Sequence, residues 1–286
     1  MQHMELGFIG IGRMGIGMAP RLLDGGHQLV VHDVSRAACE PLLARGARWA
    51  ATPAEAAQAS EILFTCVPGP KEVAAVIEGP DGVLSAPRRG GMLVEMSTIG
   101  PKQSQQLAAR CREAGLAYID APVSNGVGPA ARGELTIMVG GSPADYERAL
   151  PVLELMGNRI YRMGDTGAGN IAKIANQMIY LSYVAAFCET ARMAREAGLD
   201  VPNLVDVMRN SVSGDPLMTG WEKRLENGDR VAGFKVRRVI KDLELGEAVC
   251  RERGFGAPVF DAVLGAYRQA AEAGHAELDM TAVFST

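Results

Sequence analysis

Along this chain the spacing of apolar residues changes once. Through the first half, short β-type runs at Leu6–Ile9, Leu29–His32, Ile62–Val67, Met92–Glu95, Ala117–Asp120, Leu135–Val139 and Ile160–Met163 alternate with stretches of helical period. That alternation predicts βαβ units and a mostly parallel sheet. Pro53, Pro101 and Pro143 follow Thr, Gly and Ser respectively, an order that suits a cap followed by the first helical residue, where a missing N–H is harmless. Beyond Met163 no strand pattern returns. Ala168 to Ala197 has no proline, and glycine only near its ends, at Gly167, Gly169 and Gly198, so one long helix is expected there. Further helices are expected at Pro202–Ser211, Val236–Arg253 and Pro258–Ala273. The fold class is therefore α/β, with a sheet domain over residues 1–164 and an all-α domain over 165–286.

Composition narrows the setting. A chain of 286 residues with 48% hydrophobic content buries a substantial core and suits two domains better than one. Lys plus Arg number 29 against 33 Asp plus Glu, a net charge of -4, so nothing calls for nucleic acid as a partner. The five cysteines, Cys39, Cys66, Cys111, Cys188 and Cys250, are odd in number and never spaced as C-x-x-C. Neither a disulfide framework nor a zinc site is suggested, and a reducing cytoplasm fits best. The first residues do not read as a signal peptide. The most apolar later stretch, Met178 to Phe187, is shorter than the roughly 20 residues of a membrane span and reads as a buried helix. A helical half with an apolar surface suggests a homo-oligomer, a dimer or tetramer.

Strand Leu6–Ile9 runs into Gly10-Ile11-Gly12-Arg13-Met14-Gly15, which opens a helical pattern through Met18, Leu22 and Leu23. This is G-x-G-x-x-G in the strand–turn–helix context that a dinucleotide needs, and it implies a Rossmann-like domain. Gly10 permits the tight turn, Gly12 lets the backbone approach a pyrophosphate, and Gly15 allows close helix–strand packing. Without that context the motif is only a glycine-rich turn. Asp33 ends the second strand some twenty residues on, where a carboxylate hydrogen-bonds the adenosine ribose 2′-hydroxyl and selects NAD. Arg36, just past that strand, is either a solvated helix-start residue or a receiver for the 2′-phosphate of NADP. The first reading is preferred, with NADP left possible.

The reaction must come from other residues. None of the four histidines, His3, His27, His32 and His275, sits in a polar loop with a partner acid or arginine. Lys173 offers more. It stands in the long helix on a polar face with Asn170, Asn176, Gln177 and Tyr180, opposite an apolar stripe of Ile171, Ile174, Met178 and Leu181. That face is either solvated or turned into a site; a lysine held there with amide partners serves as a general acid–base, because burial lowers its pKa towards neutrality. Asp120-Ala121-Pro122-Val123-Ser124-Asn125-Gly126 follows a strand and offers side-chain donors at Ser124 and Asn125 beside a small Gly126. As spacing alone it is equally a surface turn.

The segments GFIGIGRMG, DAPVSNGVGPAARGELTIMVGG, GAGNIAKIANQ and FKVRRVIKDL, in that order and nearly end to end, resemble the β-hydroxyacid dehydrogenase family, including its 3-hydroxyisobutyrate dehydrogenase and tartronate semialdehyde reductase branches. The resemblance implies hydride transfer between NAD(P) and a small β-hydroxy carboxylate or its semialdehyde, with Lys173 as the catalytic group. It implies cofactor contacts at Gly10, Ile11, Gly12, Arg13, Met14, Gly15, Asp33, Val67, Pro68, Thr98 and Lys241. Substrate contacts would fall on Ser124, Asn125, Gly126, Asn176, Gln177, Phe234 and Asp242, with Gln177 supporting the lysine. The segment Ser213 to Trp221 lies where the family often shapes its substrate pocket. The chain departs from the family pattern at Asn125, usually glycine, at Gln177, often asparagine, and at Pro20-Arg21, where an asparagine is common; these leave the substrate open. Three other readings share the scaffold. An imine reductase commonly lacks the lysine, a noncatalytic dinucleotide-binding protein should have lost the lysine or the carboxylate loop, and a 6-phosphosugar acid dehydrogenase would need a basic cluster that is not evident here.

Overall fold

The structure, a computed structural model, describes residues 3–86, 91–211, 233–254 and 256–285. The chain divides into two compact units, residues 1–173 and 174–286. The division falls inside the long helix, somewhat later than the sequence pattern placed it.

In the first unit, strands β1 (Glu5–Ile9), β2 (Gln28–His32), β3 (Arg48–Trp49), β4 (Ile62–Thr65), β5 (Met92–Glu95) and β6 (Ala117–Asp120) lie in the order β3-β2-β1-β4-β5-β6, all parallel. The chain reverses its direction of strand addition between β1 and β4, which places the crevice for a ligand at the carboxyl ends of those two strands. Beyond β6 the sheet is mixed. Strands β7 (Val123–Ser124) and β8 (Leu135–Gly140) are antiparallel partners, β8 also pairs antiparallel with β6, and β9 (Gly157–Gly164) lies parallel to β8. Every expected strand is present; β3 and β7, two residues each, were not foreseen because two residues carry no periodicity.

Helices α1 (Gly15–Asp24), α2 (Arg36–Leu43), α3 (Pro53–Gln58), α4 (Pro70–Glu78), α5 (Pro101–Glu113), α6 (Val127–Arg132) and α7 (Pro143–Leu153) connect these strands. The prolines stand at the starts of α3, α5 and α7 as their neighbours suggested. Thr52 Oγ1 accepts from Glu55 N at 3.1 Å, and Ser142 Oγ from Asp145 N at 3.1 Å; such caps are each worth about 1 kcal/mol. One apolar cluster includes Phe8, Met18, Val31, Phe64 and Val94, and a second includes Ile9, Val30, Leu63, Ile77 and Leu93. Adjacent strand residues therefore fall in different clusters, as the pleat of a sheet covered on both faces requires.

The second unit is helical: most of α8 (Ala168–Glu196), then α9 (Val201–Arg209), α10 (Val236–Arg253) and α11 (Pro258–Ala270). Its core gathers Leu181, Val184, Phe187 and Cys188 of α8 with Val239 and Leu243 of α10 and Leu264 and Tyr267 of α11. By length and composition alone α8 would suffice to cross a membrane, a longer apolar reach than 178–187 suggested. Met178 Cγ and Sδ press against Gly246 of α10, where a Cβ would stand 3.2 Å from the sulfur, so only glycine fits that crossing without displacement.

Candidate functional site

The turn after β1 is shaped by three glycines with different reasons. Gly10 has φ +96°, and a Cβ there would collide with the Cys66 carbonyl. A Cβ at Gly15 would collide with the Gly10 carbonyl. Gly12 differs: a Cβ would meet nothing within 4 Å, and its φ is not in the left-handed region. Nothing in the protein requires glycine at position 12, whereas a phosphate approaching the backbone does. Within the first turn of α1, Ile16 N donates to Gly12 O at 2.9 Å and Gly17 N to Met14 O at 3.0 Å, but no acidic side chain lies in that turn and no side chain caps it. These residues fit a dinucleotide pyrophosphate.

Asp33 follows β2, and its carboxylate is already engaged by the fold. Oδ2 accepts from Ile11 N at 2.8 Å and Oδ1 from Ser35 N at 2.8 Å. Besides the expected ribose role, it fixes the glycine turn. About two of a carboxylate's four acceptor positions are still left for a hydroxyl. Arg36 is exposed, lies over the Trp49 ring at 5.8 Å and approaches Glu40 at 3.6 Å. Across the crevice, Val67 N donates to Ser97 Oγ at 2.9 Å and Ser97 N donates to buried Glu95 Oε1 at 2.7 Å. Val67 and Thr98 are half-buried and Pro68 is exposed, so the loops after β4 and β5 are tied together beside the glycine turn.

In the loop after β6, Ser124 ends β7, and Asn125 and Gly126 follow at φ +89° and +81°. Asn125 is the one described non-glycine residue with positive φ, which explains why its type is restricted: asparagine tolerates the left-handed region better than most. Its amide Nδ2 donates to Thr136 Oγ1 at 3.1 Å and Glu134 O at 3.3 Å. Asn125 thus ties the loop to the start of β8 through its amide nitrogen. Its backbone N–H and that of Gly126 are the groups that suit an anion there.

Helix α8 begins under a carboxylate. Asp120 Oδ1 accepts from Gly167 N at 2.7 Å and Oδ2 from Asn170 N at 2.8 Å. Burial pushes the Asp120 carboxyl up to about 6 against the opposing pull of those N–H groups. Asn170 Oδ1 accepts from Ile99 N at 3.0 Å, and its Nδ2 donates to Ser104 Oγ at 3.0 Å. Lys173 comes one turn later, 7% exposed, and Asn170 is wholly buried. The stripes expected along this helix are corrected accordingly: Ile171 is 39% exposed and Asn170 is inside, because hydrogen-bond partners offset the cost of burying an amide. Asn176 points outward.

Within the helical unit, buried Gln177 donates from Nε2 to Asp242 Oδ2 at 2.7 Å. Asp242, also buried, pairs through Oδ1 with Lys241 Nζ at 2.7 Å. The Gln177 bond occupies its amide nitrogen and leaves its Oε1, the atom that accepts from an ammonium, out of the Asp242 contact. Phe234 is held at its backbone: its N–H donates to Asp279 Oδ2 at 3.2 Å, and its carbonyl accepts from Met280 N at 2.7 Å. The segment Ser213 to Trp221 lies outside the described residues.

Other titratable groups serve the fold. Burial raises the thiols of Cys39, Cys111 and Cys188 to about 11, 12 and 12, which leaves them protonated and unreactive near neutrality. His27 is lowered, chiefly by burial, and its Nδ1 accepts from Met4 N at 3.3 Å. Sequence reasoning named Asp120 and Asn170 without giving either a task. The available signal was the missing cap: Gly167 precedes α8 and has no side chain to accept its first amides.

A family model described as the NAD binding domain of 6-phosphogluconate dehydrogenase matches residues 5–164, and one described as the NAD-binding of NADP-dependent 3-hydroxyisobutyrate dehydrogenase matches residues 167–286. The chain is 33% identical over 286 residues to an NAD-dependent L-serine dehydrogenase of Pseudomonas aeruginosa, covering 98% of this chain and 96% of that one. It is 34% identical over 280 residues to a 2-hydroxy-3-oxopropionate reductase of Escherichia coli, covering 98% and 96%. A crystal structure of 3-hydroxyisobutyrate dehydrogenase from Salmonella typhimurium matches with a TM-score of 0.92 at 31% identity over 99% of each chain.

Proposed function

We propose, from the β-hydroxyacid dehydrogenase family to which this chain belongs, that it is an NAD(P)-dependent oxidoreductase interconverting a small β-hydroxy carboxylate and its semialdehyde, with Lys173 moving the hydroxyl proton. The observation that carries the reading is Lys173 itself, 7% exposed one turn into a helix that starts at the carboxyl edge of the sheet. Burying an ammonium that deeply is costly, and such groups gather where protons move.

In the oxidation direction the substrate carboxylate lies on Ser124 and the backbone amides of Asn125 and Gly126, and its β-hydroxyl faces Lys173. Lys173 Nζ, as the neutral amine, takes the hydroxyl proton, and the charge it gains steadies the developing alkoxide; in reduction it returns the proton. When bound, the nicotinamide supplies the hydride acceptor or donor. The glycine turn and α1 hold the pyrophosphate, Asp33 meets the ribose and favours NAD over NADP, and Val67, Pro68, Thr98 and Lys241 complete the cofactor's surroundings. Asn176, Gln177, Phe234 and Asp242 belong to the substrate side.

Residues 1–164 act as the dinucleotide-binding domain and 165–286 as the substrate and oligomerisation domain. Homo-oligomer formation is supported by exposed Ile179 and Met193 on α8 and Val207 on α9, and a reducing cytoplasm suits five cysteines without a disulfide.

The test is a screen of 3-hydroxyisobutyrate, L-serine, glycerate and β-hydroxylated aromatic amino acids, with their methyl esters, against NAD and NADP. The expected result is turnover of at least one free acid, little of its ester, and a higher kcat/KM with NAD. Equal turnover of acid and ester would remove carboxylate recognition from the account.

A further inference from the structure

We propose that Asp120 and Asn170 are positioning residues for Lys173: Asp120 caps the start of α8 from β6, and Asn170 ties that start to the loop that carries Thr98. This rests on the reading of Lys173 as the proton-moving group.

A helix opens with amides that lack intrahelical acceptors, and the usual remedy is a side-chain oxygen on the preceding residue. At α8 that residue is Gly167, at φ +94°. The Asp120 carboxylate takes over the task from another strand, accepting from the amides of Gly167 and Asn170 with one oxygen each. The helix start is pressed onto the sheet to reach it. A Cβ at Gly169 would collide with the Met138 carbonyl and stand 2.9 Å from Asp120 Oδ2, and one at Gly140 would stand 2.5 Å from Asp120 Oδ1. Glycine at 140 and 169 is therefore a condition of the contact.

Asn170 extends the anchorage. Its Oδ1 accepts from Ile99 N, its Nδ2 donates to Ser104 Oγ, and Ser97 N two residues before Ile99 is fixed by Glu95. The backbone on both sides of Thr98 is thereby fixed, on one side by the sheet and on the other by the lysine helix. Lys173 lies three residues beyond Asn170, less than one turn, so little helix remains in which an error of placement could relax. The Asn170 amide is buried and hydrogen-bonded through both its oxygen and its nitrogen, which restrains the helix start.

The experiment is a double-mutant cycle with Asn170→Ala and Lys173→Met, using whichever of 3-hydroxyisobutyrate, L-serine and glycerate the wild type oxidises best. Expected for Asn170→Ala, measured at saturating NAD, is a kcat loss approaching the roughly 10²-fold that a misplacement of about 1 Å causes. In the Lys173→Met background the same substitution should change the residual rate less than about twofold, since its effect passes through the lysine. Equal losses in both backgrounds, or no loss in the wild type while Lys173→Met is inactive, overturn the positioning role and leave the function standing. Full activity of Lys173→Met overturns the function, and the positioning role with it. Asp120→Asn is read by hydrogen exchange without cofactor or substrate: exchange should quicken in the peptide spanning 165–175 and stay constant in the β1 and β4 peptides. Equal quickening in all of them would mean a general structural role and overturn the proposal. Should Asp120→Asn fail to fold, the Asn170 cycle decides alone.

Discussion

Two glycine-rich helix starts in the first unit meet the same electrostatic problem and resolve it in opposite ways. At α1 the positive end is left open: no side chain caps it, no acid lies in its first turn, and Gly12 faces empty space. At α8 the positive end is closed by Asp120, a buried carboxylate accepting from two of its amides. An open end suits an anion that arrives from solution and leaves again. A closed end gives up anion binding and fixes the position of the next turn, which carries Lys173. Glycine serves both, by leaving room for a ligand at position 12 and by letting the helix meet the sheet at positions 140 and 169.

The strongest way to test the closed end is to remove the side chain it positions. Lys173→Met should keep NAD binding and lower kcat by roughly 10² to 10⁴, the range for a lost general acid–base group. Lys173→Arg should be nearly as damaged, since arginine keeps the charge but does not release its proton. Steady-state kinetics on both variants checks this; an active arginine variant would reduce Lys173 to an electrostatic anchor.

The closing carboxylate should leave a signature in stability. Its pKa is raised from 3.8 to about 6 in the folded state, with burial the main cause. The folded form thus holds its proton more tightly than the unfolded chain does. The contribution is full below pH 4 and is lost as pH rises through 6, a fall of about 3 kcal/mol for a shift of roughly two units. Urea melts at pH 4 and pH 7 should show the stability of wild type relative to Asp120→Asn declining by up to that amount. A difference independent of pH would mean that Asp120 is not ionising in the fold as described.

The glycines give a paired test. Gly169→Ala forces a Cβ against Met138 and Asp120 and should cost about 1–3 kcal/mol, as overpacking does. Gly12→Ala meets open space and should leave stability unchanged or raise it by about 0.4–1 kcal/mol, yet weaken NAD binding. Thermal melts with and without NAD separate the two. A Gly12→Ala protein with unaltered NAD affinity would break the contrast on which the open end rests.

Much of this was legible from sequence because its signals are local. The strand–glycine–helix grammar of residues 6–23 and the proline-free run from 168 each declare themselves within a short window. The features that stayed hidden depend on partners far along the chain. The Asn125 Nδ2 bonds to Thr136 and Glu134 cannot be read from its residue type. The Gln177 Nε2 bond to Asp242, 65 residues away, cannot be read from helical spacing. Asn170 looks like one member of a polar face, yet its partners at Ile99, Ser104 and Asp120 make it the more deeply buried neighbour of Ile171. Side-chain type and helical period indicate which faces are polar; they do not say whether a polar group is satisfied internally or left for a ligand.

The smallest expected effect concerns Asp33, the carboxylate at the open end that most nearly corresponds to Asp120. It accepts from Ile11 N, inside the glycine turn, and from Ser35 N, yet it does not cap α1, which has no side-chain cap. Asp33→Ser removes the negative charge that a 2′-phosphate would face, and weakens the anchorage of the turn at the same time. NAD affinity should therefore fall while the preference for NAD over NADP narrows by about tenfold, or roughly 1.4 kcal/mol in kcat/KM. Arg36, exposed and within reach of the same surface, is expected to receive the phosphate once the carboxylate is gone. If so, Asp33→Ser combined with Arg36→Ala should lose the gain towards NADP and keep the loss towards NAD. A wild type that prefers NADP tenfold or more would show that Asp33 anchors the turn without selecting the cofactor, making its role structural, like that of Asp120.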